Sequence, residues 1–117
     1  MLIILLFVIF FLKHFMADYP LQTPYMLRKT HKIGWKLPLL THSLVHAGLT
    51  FAILILFTSL GMSIALAIME LILHFIIDYW KAQRCKYAIS DAKFWIALGF
   101  DQLLHYLTYA LIILIII

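Results

Sequence analysis

The feature that most restricts this chain is a pair of matching segments that carry ionisable residues inside apolar runs. His14-Phe15-Met16-Ala17-Asp18-Tyr19 and His74-Phe75-Ile76-Ile77-Asp78-Tyr79 both read H-F-x-x-D-Y. Each is followed by a second pair at helical spacing, His42 and His46 after the first, Asp101 and His105 after the second. The offsets nearly agree, 28 residues from His14 to His42 and 27 from His74 to Asp101. Residues four apart share one face of a helix. The pattern therefore predicts a duplicated helix hairpin, residues 1–60 and 61–117 of a single domain, each copy offering four potential metal ligands.

The surroundings of these residues set the class. Hydrophobic residues make up 66% of the 117 positions and the mean hydropathy is +1.06, well above a soluble domain. Four apolar segments stand out: Leu2 to about Ala17, Pro38 to Leu60, Met62 to Trp80 and Phe94 to Ile117. A membrane span needs about 20 residues. The last three reach that length; the first is shorter, and Lys13 is expected to snorkel toward the interface and extend it. No basic stretch precedes the first apolar run and no small-x-small site follows it, so it reads as a span rather than a secretory signal. The expected fold is an all-α membrane bundle of four transmembrane helices built from two parallel hairpins.

Local signals mark the boundaries. Pro20 and Pro24 end the first helix, Pro38 falls in the first turn of the second, Gly61 is expected to close the second, and Ser90 or Asp91 to cap the fourth. Gly48 and Gly99 are read as small residues that allow close helix approach. Eight of the nine Lys and Arg residues fall in two loops, Arg28, Lys29, Lys32 and Lys36 in one and Lys81, Arg84, Lys86 and Lys93 in the other. By the positive-inside rule those loops are cytoplasmic, with both termini outside. The net charge of +4 is thus a topology signal, and no nucleic-acid partner is expected. A single cysteine, Cys85, excludes an internal disulfide.

Placed by helical rise, His14, Asp18, His42, His46, Glu70, His74, Asp78, Asp101 and His105 occupy one slab roughly 5 to 15 Å from the cytoplasmic side. Of the eleven His, Asp and Glu residues only His31 and Asp91 lie elsewhere. A lone intramembrane His or Asp can serve as hydrogen-bonding glue between helices, but burying nine such groups together is costly without a neutralising cation. Imidazoles with carboxylates and no thiolate suit a divalent transition metal: zinc first, with iron or manganese as alternatives. The duplicated sets suggest two ions, one on His14, Asp18 and His46, the other on His74, Asp78 and His105, with His42 and Asp101 at matched positions. Glu70 has no counterpart, since Phe10 stands at the matching position. That asymmetry makes it the candidate catalytic base or bridging carboxylate. Gln22, Gln102 and Lys81 adjoin the ligand pairs and are read as supporting groups.

The segments H-F-M-A-D-Y-P-L-Q from His14, T-H-S-L-V-H ending at His46, H-F-I-I-D-Y-W-K from His74 and D-Q-L-L-H from Asp101 together resemble the small bacterial and phage membrane family catalogued as domain of unknown function 3307. Their helix-borne His/Asp pairs are similar in style to inner-membrane metal-dependent hydrolases. The expected function is metal-dependent hydrolysis of a lipid or phosphoester at the bacterial inner membrane, with the site facing the cytoplasm. Alternatives are a non-catalytic protein that binds or moves a divalent metal, a small subunit of a larger or homo-oligomeric membrane assembly, and a di-iron membrane oxidase. No Gly-rich phosphate loop and no serine or cysteine nucleophile motif is present.

Overall fold

The computed structural model covers residues 1–117 and is entirely helical. Helix α1 spans Leu2–Asp18 and ends where Pro20 cannot continue it. Pro24 opens the short helix α2, Pro24–Leu27, at its first position, with the Thr23 hydroxyl accepting from the Met26 amide. A 3₁₀ turn, Arg28–Thr30, follows, and Gly34 takes the left-handed conformation (φ 71°) that lets the chain turn into α3. Helix α3 runs Lys36–Leu54, α4 runs Leu60–Tyr79 and continues as a π-helical turn over Trp80–Arg84, and α5 runs Ala92–Ile116.

Three helical segments are long and apolar enough to cross a membrane: Lys36–Leu54, Leu60–Arg84 and Ala92–Ile116. Helix α1, with 17 residues, rises only about 25 Å and does not reach that length. Lys13 does not extend it. Its side chain turns inward and is buried, because a carboxylate, Glu70, awaits it there. Pro38 lies in the first turn of α3 as expected, and Asp91 caps α5 through its carboxylate and the Lys93 amide. The second helix ends six residues before its expected stop. The turn is built over Ile55–Ser59, the Ser59 hydroxyl caps α4, and Gly61 belongs to that helix's first turn. Gly48 and Gly99 face open space rather than a neighbouring helix, so neither is needed for close approach.

The polarity of the molecule is reversed relative to a water-soluble bundle. Thirteen of its 29 buried residues are polar or charged, whereas large apolar side chains such as Ile4, Phe15, Leu44, Ile68, Ile96 and Leu114 face outward. Such a surface suits an apolar surrounding, in keeping with helices long enough to cross a membrane. The interior has two storeys. Toward the chain termini Leu6, Phe10, Leu54, Leu66, Tyr109, Ile112 and Ile113 form a dry apolar cluster contributed by α1, α3, α4 and α5. Toward the basic loops the same four helices present the histidines and carboxylates.

The loop after α2 is tied over this polar end. The Gln83 amide donates to the Lys29 and His31 carbonyls (2.6 and 3.0 Å), and the Lys86 ammonium donates to the Thr30 carbonyl (3.2 Å). Both donors come from the end of the π-helical turn or just beyond it. Trp35 packs on Tyr79 and Trp80 on Phe100 at the same level, an aromatic girdle of the kind found at membrane interfaces.

The caps give a direct check on these boundaries. Asp91→Ala and Ser59→Ala should each lower stability by about 1 kcal/mol, read as a shift in thermal unfolding of the detergent-solubilised protein. Asp91→Asn, which keeps an accepting oxygen, should stay close to wild type.

Candidate metal centre

Each of the four long helices brings a pair of ionisable residues one turn apart to the same level: His14 and Asp18 on α1, His42 and His46 on α3, His74 and Asp78 on α4, Asp101 and His105 on α5. All are buried except Asp18, whose side chain is 19% exposed and reaches a cleft at this end of the bundle. The cross-helix contacts follow the two hairpins. Asp18 Oδ1 lies 2.9 Å from His46 Nε2, and the matched Asp78 Oδ1 lies 3.0 Å from His105 Nε2. His42 stands between them, its Nε2 3.3 Å from both Asp18 Oδ1 and Asp78 Oδ2. The rings pack closely, with His46 and His74 centroids 3.8 Å apart and His74 and His105 4.3 Å apart.

Two groups of donor atoms converge tightly enough to hold a metal ion. Asp18, His42, His46 and His74 form one; His74, Asp78 and His105 form the other. The second is the trio expected from the sequence. In the first, His42 takes the place expected for His14, and His74 belongs to both.

The reason for His14's absence is that its ring is already satisfied. Its Nδ1 is hydrogen-bonded to the Tyr109 hydroxyl (2.7 Å), and its Nε2 to Gln102 Oε1 (2.9 Å), with Asp18 Oδ2 also 2.9 Å away. By contrast both ring nitrogens of His42 and of His74, and Nδ1 of His46, have no hydrogen-bond partner although the rings are 0–1% exposed. Buried polar atoms almost always find partners. A cluster of unpartnered imidazole nitrogens around two carboxylates is the arrangement a divalent cation completes.

Glu70 lies outside both groups. It pairs with the Lys13 ammonium, and its Oε1 is 4.0 Å from His46 Nδ1. Lys13 also contacts the Tyr109 hydroxyl at 3.4 Å. This buried layer sits behind the histidines, away from the opening. Asp101 is different: Oδ2 accepts from the Gln102 amide (3.0 Å), while Oδ1 has no partner and lies 3.6 Å from His105 Nε2. Gln22 donates to the Asp18 carbonyl (2.6 Å) and so fixes the end of α1.

The opening is a cleft of about 320 Å³ at the end of the bundle. Asp18, Asp78 and Asp101 form its polar floor, with Gln22 and Gln102 beside them and Lys29 and Lys81 on its wall. Lys29 was not expected here. Its ammonium bonds Asp78 Oδ2 at 2.7 Å because the tied-down loop carries it across the cleft.

A helical protein of membrane type, with buried His/Asp groups that could hold a metal beneath a polar cleft, is the class these observations define. The chain belongs to the family described as "Protein of unknown function (DUF3307)", whose model matches residues 6–117. No curated protein and no solved structure matches it.

The Lys13–Glu70 pair yields a prediction. Lys13→Met leaves a buried carboxylate unpaired and should cost about 3–5 kcal/mol. The double variant Lys13→Met/Glu70→Leu removes both charges and should recover most of that loss. Unfolding in detergent measures both, and equal destabilisation of single and double variants would deny the pairing.

Proposed function

We propose that this protein is a four-span membrane bundle whose polar end binds two divalent transition-metal ions, zinc foremost, and hydrolyses an ester or phosphoester delivered from the membrane. The observation that carries the reading is the set of buried, unpartnered imidazole nitrogens beside carboxylates that line an open cleft. Divided between two ions, the donors give Asp18, His42 and His46 to one and His74, Asp78 and His105 to the other. Each ion then has two imidazoles and one carboxylate. Three protein ligands with an open position is the pattern of catalytic rather than structural zinc. The matched Asp18–His46 and Asp78–His105 contacts support a common origin of the two halves. The clustering of basic residues in the loops beside the cleft supports a cytoplasmic opening.

When bound, such ions lower the pKa of coordinated water toward neutrality and polarise the scissile group. The chain's own residues supply the rest. Asp101, whose buried Oδ1 has no partner, would take a proton from the attacking water and return it to the departing ester oxygen, which leaves as the alcohol. Glu70, expected from the sequence to be the base, is assigned a positioning role instead, because it faces His46 from behind and is committed to Lys13. Tyr109 and Gln102 hold His14, and His14 in turn steadies Asp18.

A second reading, metal binding without catalysis, is favoured by one fact: the four ligand histidines are 0–2% exposed. Turnover separates the two.

Metal analysis of protein purified in detergent should find two ions per chain. Imidazole must be neutral to ligate, so protons compete and occupancy should fall as pH drops through the ordinary histidine range toward 5. His74→Ala/Asp78→Asn should remove more than half of the metal. A single ion, indifferent to this change, would sink the two-ion reading.

Activity toward a chromogenic phosphate ester distinguishes the carboxylates. Asp101→Asn should keep its metal and lose about 10²- to 10⁴-fold in turnover. Glu70→Gln should instead weaken metal affinity by about 10- to 100-fold, the usual effect of removing a group that orients a ligand histidine. Absence of turnover in a fully loaded wild-type protein would favour the non-catalytic reading.

A further inference from the structure

The charge balance of the cleft says which substrate it can take. Without metal, the three floor carboxylates Asp18, Asp78 and Asp101 outweigh the two wall ammonium groups Lys29 and Lys81 by one negative charge. The Lys13–Glu70 pair is neutral within itself and faces away. Each divalent ion brings two positive charges, so loading reverses the sign of the cleft and leaves it short of anions. A neutral ester leaves that excess untouched, whereas a dianion offsets the larger part of it.

The wall is arranged for this. Lys29 is held by a clamped backbone rather than a free loop, since Gln83 fixes its carbonyl at 2.6 Å. Its side chain is only 15% exposed. The ammonium has three donor hydrogens, of which Asp78 Oδ2 takes one at 2.7 Å. Asp78 Oδ1 stays turned toward His105 at 3.0 Å, while Oδ2 faces both the ammonium and His42, the latter at 3.3 Å. The remaining Lys29 hydrogens are next to the metal groups with no other partner. Lys81, the second residue of the π-helical turn, stands on the same wall with its ammonium over the Phe94 ring at 4.8 Å.

Building on the two-ion reading above, we propose that the metal-loaded cleft binds a phosphate monoester dianion, with Lys29 and Lys81 as its cationic clamp. The phosphate is either the headgroup of a phosphomonoester lipid or that of a water-soluble monoester, since the terminal group is the same.

The test is inorganic phosphate binding to the full-length protein in phosphatidylcholine nanodiscs, followed by calorimetry, with metal content measured on the same samples. Phosphate should bind the zinc-loaded protein and not the chelator-stripped one. Lys29→Gln and Lys81→Gln should each weaken binding by about 10- to 100-fold, the worth of one charge-assisted hydrogen bond, while retaining metal. Lys81 touches no proposed ligand, so its variant remains informative even if Lys29→Gln disturbs Asp78. Adding phosphatidic acid to the discs should abolish phosphate binding if the source is lipid and leave it unchanged if the source is soluble; either result upholds the anion site. Loaded protein that ignores phosphate, or lysine variants that bind it as tightly as wild type, would overturn the anion site and leave the metal reading standing. Protein that holds no metal would overturn both.

Discussion

Asp18 and Asp78 are the fixed points about which the polar end is organised. Asp18 is approached by two imidazoles from α3, and Asp78 by imidazoles from α3 and α5, and each must keep its charge where little water reaches. Removing a carboxylate from water is expensive unless opposite charge and hydrogen bonds replace the lost hydration. In this chain the replacement is collective. Rings from α1, α3, α4 and α5 meet at one level, so the register of every long helix is set by the same few contacts. The dry cluster of Leu6, Phe10, Leu54, Leu66, Tyr109, Ile112 and Ile113 gives cohesion but has little directional preference. In lipid, where apolar side chains gain nothing by leaving the solvent, polar contacts and close packing carry specificity.

Much of this arrangement was legible in the residues. The H-F-x-x-D-Y repeat and the i, i+4 pairs located the four helix faces, since a helix can aim both members of such a pair at one point. The His74–Asp78–His105 trio follows when that rule is combined with the matching of the two halves. Three things did not. His14 and His42 are equivalent by spacing, and only the partners Tyr109 and Gln102, distant in sequence, tell a satisfied imidazole from an open one. Lys29 lies in a loop whose path depends on Gln83, and loop paths leave no periodic trace. Lys13 lies in an apolar run, and the carboxylate that turns it inward rather than toward the interface, Glu70, is 57 residues away.

The last case did carry a signal. Lys13 and Glu70 occupy positions whose counterparts in the other half are Leu73 and Phe10. Two departures from an internal repeat, of opposite charge and both in apolar surroundings, are explained together if they pair with each other. They do. The pair costs the bundle a desolvation penalty that an apolar pair would avoid. Its placement behind His46, with Tyr109 linking it to His14, ties the two departures to the orientation of the donor rings.

The position of the cleft's rim has a consequence for the surrounding lipid. Asp18, Tyr19 and Gln22, at and just beyond the end of α1, border the opening, while Phe15 and Met16, one turn earlier, turn their apolar side chains outward. The rim therefore lies where an apolar flank gives way to a polar mouth, the level at which headgroups sit in a bilayer. A lipid diffusing in such a leaflet would bring its polar head level with the cleft without being lifted out of the hydrocarbon, and its tails would stay in the bilayer throughout.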